Sequence, residues 1–100
     1  MSLIITGNIN LNNGITLDGC YGRTTYNVND TSSLVSIRVE YWKDKESYET
    51  GKITLTADLI STKLTPYNRE VDGSDVLDFT QKVIKNELES QGYSVVITEL

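Results

Sequence analysis

One hundred residues suit a single domain, 1–100, and leave no room for two. Apolar content is 38%, and Thr, Ser and Asn are abundant, so the composition leans towards pleated sheet and turns. The formal net charge is −5 and the basic residues do not cluster, which gives the chain no electrostatic reason to seek nucleic acid or an anionic membrane.

Residues 3–6 read as a short apolar strand. Residues 7–12 continue with a period of two, Gly7, Ile9 and Leu11 on one side and Asn8, Asn10 and Asn12 on the other. Asn13-Gly14 is a strong hairpin signal, after which 15–17 resume the sheet. Asp18-Gly19 is a second turn candidate. Residues 20–28 form another strand, in which Gly22 marks a bulge or a close approach and Cys20 is a small semi-buried residue. Asn29-Asp30-Thr31 matches a glycosylation sequon, but an Asx turn explains it without any further process.

The clearest strand follows. Val35, Ile37, Val39 and Tyr41 face one way, towards the core, and Ser36, Arg38, Glu40 and Trp42 face the other. Residues 43–51 are a charged loop, or one helical turn ended by Gly51. Residues 52–62 alternate again and are expected to pair antiparallel with 34–42. Pro66 excludes a continuous strand or helix through 63–72, so that stretch is expected to be a loop.

A helix is predicted over 74–91. Asp72 or Ser74 caps it, Asp75 and Asp78 sit near its positive end, and Val76, Leu77, Thr80, Val83, Ile84 and Leu88 form its stripe. Gly92 fits the position just past its end, and 93–98 close the chain as a strand. The expected fold is α+β: an antiparallel sheet of about five or six strands, one C-terminal helix packed on it, and a final short strand.

Little in this sequence suits catalysis. Without histidine there is no Ser-His-Asp triad, no Cys-His dyad and no His-zinc site. Cys20, the single cysteine, excludes an intrachain disulfide and fits a reducing compartment. No apolar run approaches the roughly 18–20 residues that span a bilayer. The start, Met-Ser-Leu-Ile-Ile-Thr, lacks the basic region of a signal peptide. The Asn8, Asn10, Asn12 series fails as a calcium loop, because the required glycine falls one place late. Glu40 and Asp58 form a conceivable acid–base pair on an outer sheet face, and Asp72, Asp75 and Asp78 a conceivable magnesium site. Solubilising charge and helix-dipole compensation account for both. The chain is therefore expected to be no enzyme and to hold no cofactor or metal.

Two features suit binding. Trp42 lies beside Arg38, Glu40, Thr54, Thr56 and Ile60, and Trp, Tyr and Arg dominate binding hot spots. A second layer, from 3–17 or from the 43–51 loop, is the competing expectation for that face. The other feature is the first strand. Leu3, Ile5, Ile9 and Leu11 carry no charge to guard an edge, so the strand either pairs internally or serves assembly.

The order Leu3-Ile4-Ile5-Thr6-Gly7-Asn8-Ile9, Asn13-Gly14-Ile15, Tyr21-Gly22-Arg23, Tyr41-Trp42-Lys43, Tyr48-Glu49-Thr50-Gly51, then Tyr67-Asn68-Arg69 and Leu77-Asp78-Phe79, resembles the small, Thr/Asn-rich virion structural proteins of tailed bacteriophages. That resemblance implies a component of a tail, neck or capsid surface, made in the host cytoplasm and resident in the virion. It implies partners that are other copies of the chain or a larger structural protein, held by sheet edges and flat faces, and no catalytic residues. The alternative is a small acidic monomeric binding module or inhibitor of a host protein, for which the charge of −5 favours a basic target.

Overall fold

The computed structural model describes residues 2–11, 14–52, 54–55, 59–73 and 75–98. Among these residues, five strands and three helices follow in the order β1 (Ser2–Asn10), β2 (Thr16–Asn29), β3 (Leu34–Trp42), α1 (Lys45–Glu49), β4 (Thr62–Pro66), α2 (Arg69–Asp72), α3 (Val76–Ser90) and β5 (Ser94–Thr98). The strands form one sheet in the order β4-β3-β2-β1-β5, with every neighbouring pair antiparallel. The fold is the α+β arrangement expected from the sequence. A meander runs outwards from β1 to β4, and α3 then carries the chain back so that β5 pairs with β1.

The period of two decides the faces. Leu3, Ile5 and Ile9 of β1 join Cys20 of β2, Val35, Ile37, Val39 and Tyr41 of β3, and Val95 of β5 on one side. Val76, Ile84 and Leu88 of α3 close over them. Ile84 and Leu88 are fully buried, and removing a side chain of that size from water contributes roughly 1.5–3 kcal/mol. Gln81 is buried among them, a polar residue that the apolar stripe did not select.

Local chemistry sets the ends of the elements. In α3 the Asp75 carboxylate accepts the Asp78 N–H at 3.0 Å. At the other end Gly92 adopts φ +99°, the Gly92 N–H donates to the Glu89 carbonyl at 3.1 Å, and the Tyr93 N–H donates to Leu88 at 3.2 Å. This pair of bonds is the Schellman arrangement, and Gly92 stands in the place foreseen for it. Between β2 and β3 the Asn29 side chain accepts from the Thr31 and Ser32 N–H groups, the expected Asx turn. The 43–51 segment forms one helical turn, capped where Asp44 accepts the Ser47 N–H at 2.7 Å. That bond holds the Asp44 carboxyl below its ordinary range.

Several expectations are corrected. Residues 16–17 and 20–28 belong to one strand, and Asp18-Gly19 lies inside it rather than turning the chain. A Cβ at Gly19 would stand 2.7 Å from the Ile5 carbonyl oxygen, so glycine serves close strand approach there. Gly22 is likewise a close approach, tight against Ile5 and Tyr41, and not a bulge. The bulge falls in β1, between Thr6 and Ile9.

Among the described residues the strand that pairs with β3 is Thr62–Pro66, which takes in only the last residue of the expected 52–62. Leu55 and Ser61 each share one backbone bond with β3, to Tyr41 at 2.7 Å and from Val39 at 2.9 Å. Ile53 and 56–58 of that expected strand lie outside the described residues. Pro66 is tolerated because it ends an edge strand, where a missing N–H breaks no ladder. The cap of α3 is Asp75, while Ser74 lies outside the described residues and Asp72 accepts the Asn68 N–H in the preceding turn. Asn13 of the expected hairpin also lies outside them, although β1 and β2 do pair as a hairpin from Asn10↔Thr16 inwards.

Candidate docking surfaces: the open sheet face and its edges

Helix α3 covers one face of the sheet only. The opposite face carries Leu64 of β4, Ser36, Arg38, Glu40 and Trp42 of β3, Tyr21, Arg23, Thr25 and Asn27 of β2, Ile4 and Thr6 of β1, and Ser94, Val96 and Thr98 of β5. It is polar along its middle and apolar near both edges. Leu64 is 65% exposed, Val96 60% and Ile4 38%. Beside Leu64 is a shallow depression of about 500 Å³, lined by Asn27, Asn29, Ser36 and Leu34. Beside Ile4 is a smaller one of about 230 Å³, with Thr6, Tyr21, Lys43 and Lys45 around it. Five strands at a spacing of about 4.8 Å keep the two apolar regions roughly 19 Å apart.

The aromatic residues of this face form a closed cluster. The Trp42 and Tyr48 rings meet edge to face with centroids 4.8 Å apart, and Tyr21 packs 5.4 Å from Tyr48 and 6.5 Å from Trp42. The Arg23 guanidinium lies 4.7 Å over the Tyr48 ring and donates to the Tyr21 hydroxyl at 3.3 Å. The Trp42 indole N–H donates to the Lys52 carbonyl at 3.1 Å. Of the two second layers foreseen for Trp42, the 43–51 segment is the one that covers it. Trp42 is half-buried and Tyr21 is 1% exposed, although Tyr21 points away from α3.

The two edges differ. On β4, Lys63 forms an ion pair with Glu87 of α3 at 3.7 Å, and Pro66 removes a donor. Lysine and proline are standard guards against strand addition. On β5 the sequence is Ser-Val-Val-Ile-Thr, with no charge and no proline. Strand β1, expected as a bare edge or an internal strand, is internal: it pairs with β2 on one side and β5 on the other.

The residues singled out as the strongest interface candidates, Leu3, Ile5, Ile9, Leu11, Arg38, Trp42 and Ile60, therefore disperse. Leu3, Ile5 and Ile9 are at most 1% exposed, in the core. Leu11 is half-buried at the tip of the β1–β2 hairpin, and Ile60 is half-buried against the core, with its carbonyl accepting the Tyr41 hydroxyl at 2.5 Å. Trp42 is held in the aromatic cluster. Of these, Arg38 alone is exposed, on the open face. Sequence reasoning missed Ile4, Leu64 and Val96. The uncharged run 93–98 was a usable signal for β5, but only the strand order makes it an edge.

The groups that invited chemistry are engaged separately. Asp72 accepts from Asn68, Asp75 caps α3, and Asp78 pairs with Lys82 at 2.9 Å, which raises the Lys82 pKa. No three acids or cysteines converge on a metal-sized site among the described residues. Glu40 stands opposite Arg23 on the open face, and its expected partner Asp58 lies outside the described residues. Cys20 is 5% exposed, and burial pushes its thiol up to about 12, far from a thiolate nucleophile at neutral pH. Comparison with known protein families, characterised proteins and solved structures finds no match to this chain.

Proposed function

We propose that this chain is a non-enzymatic structural component that works by docking its sheet against other copies of itself or a larger structural protein. The observation that carries this reading is the one-sided cover of the sheet. One face is sealed by α3, while the other leaves Leu64, Ile4 and Val96 in water. Apolar side chains on a flat, mostly uncharged surface gain most from a protein partner that removes them from solvent. The resemblance of the sequence to small, Thr/Asn-rich virion proteins supports the particle of a tailed bacteriophage as the setting in this reading, at the tail, neck or capsid surface, with the virion as the place where the protein resides.

Solution mass tests this reading. Light scattering after size exclusion, over a tenfold range of concentration, is expected to show multimers or a mass that climbs with concentration. A monomer of 11.2 kDa at every concentration overturns self-association. The second reading, an acidic binding module that inhibits a host protein, rests on the net charge of −5. It calls for a monomer whose affinity for a basic target falls as salt is added.

A further inference from the structure

We propose that β5 is the self-association edge of this protein, and that two copies join by antiparallel pairing of β5 with β5 about a two-fold axis through Val96. The inference rests on the assembly reading above and names the surface it uses. Three observations carry it. The strand sits at one end of the sheet order, and Ser94–Thr98 contains no charge, no proline and no glycine. The opposite edge is guarded by Lys63 and Pro66. The pattern of β5 is also complementary to itself.

With Val96 on the axis, Val96 meets its own copy, Val95 meets Ile97, and Ser94 meets Thr98. Alternation puts Val96 on the open face and Val95 and Ile97 on the face of α3. Each residue thus meets a mate of its own kind: apolar with apolar on both faces, and hydroxyl with hydroxyl at the ends. No like charges are brought opposite one another, the usual penalty of a symmetric pairing. Ile4 is the cross-strand neighbour of Val96 on β1. Pairing therefore extends Ile4 and Val96 into one apolar band, Ile4-Val96-Val96-Ile4, across the joined sheets. A slip by one residue would send Val96 to the other face and break this match. Five residues of edge bury less than the roughly 1,200 Å² of a standard stable interface, so the dimer is weak and forms with rising concentration.

The test uses the intact chain in two variants. Antiparallel partners lie about 4.5–5.5 Å apart at Cα, within the span of a disulfide. V96C is therefore expected to cross-link into a covalent dimer under mild oxidation, whereas V71C, on the 79% exposed Val71 of α2, is not. V96K places two ammonium groups opposite each other on the axis. It is expected to weaken dimerisation by at least roughly tenfold in sedimentation equilibrium. Val96 is solvent-exposed in the single chain, so the circular dichroism and thermal midpoint of V96K should match the parent. A multimer that survives V96K, with V96C cross-linking no faster than V71C, overturns the β5 edge and leaves assembly through another surface standing. A parent chain that stays monomeric throughout overturns self-association and the β5 edge together.

Discussion

Cys20 and Tyr41 face the same core, and burial keeps both protonated. The Cys20 thiol is pushed from 9.0 up to about 12, and the Tyr41 hydroxyl rises above its ordinary value of 10.0, first through burial and then through Cys20 and Tyr93. Below pH 9 folded and unfolded chains both hold the thiol proton, and Cys20 adds no pH dependence. Above pH 9 the unfolded chain loses that proton first, so stability falls by up to about 1.4 kcal/mol per pH unit until the folded thiol ionises near 12. Urea unfolding at pH 8 and pH 10 should therefore show a loss of stability that is about 1.4 kcal/mol larger in the parent chain than in C20A, which lacks the group. An equal loss in both would mean that the thiol is not buried. The burial of Cys20 was legible in the sequence, since a lone thiol without a histidine base has little other use. The cover over Trp42 was legible only as one of two options. Alternation gives the face of a residue but not what lies above it, and here Tyr48, six positions on, is brought back by the Asp44 cap.

Helix α3 and strand β3 are the elements the sequence specified best, and for the same reason. Each combines a full apolar period with a clear end signal, so local preference and tertiary burial agree. The ends of α3 shifted by a residue or two because several acids near its start offer a cap, and only one has the geometry. The Asp75 carboxylate holds the Asp78 N–H, so D75A should lower stability by about 1 kcal/mol in thermal or urea unfolding. D72A, which touches only the four-residue α2, should cost less. Equal losses in the two variants would place the cap elsewhere. The stretch 52–66 was the least legible. Its alternation from Ile53 to Leu59 resembles a strand, yet the ladder on β3 goes to Thr62–Pro66. A period of two says that a segment has an apolar side; it does not say which of two adjacent segments wins the edge. Asp18-Gly19 misled in a related way, because the dipeptide advertises a tolerant backbone and β2 uses that tolerance to run close to β1.

At the scale of the whole molecule the decisive fact is strand order, which no local pattern encodes. The return of the chain through α3 places β5 outside β1, and so transfers the bare edge from the start of the chain to its end. The molecule measures 42 × 27 × 20 Å and has a net charge of −5, while Ser94–Thr98 of β5 contains no charged residue. Two such bodies repel as they approach, while the joining strands contribute no ion pair. At about 0.1 M salt the Debye length is roughly 10 Å, shorter than any dimension of the molecule, so added salt removes most of that repulsion. For two charges of −5 at a separation of some 25 Å, the repulsion relieved between about 20 and 200 mM salt is of the order of 1 kcal/mol. Dimerisation should therefore strengthen by roughly three- to tenfold over that range in sedimentation equilibrium. Docking through complementary charged patches would respond in the opposite sense, weakening as salt rises. A dimer that dissociates at 200 mM salt would thus point to Arg38, Glu40 and their neighbours on the open face, and away from the uncharged β5 edge.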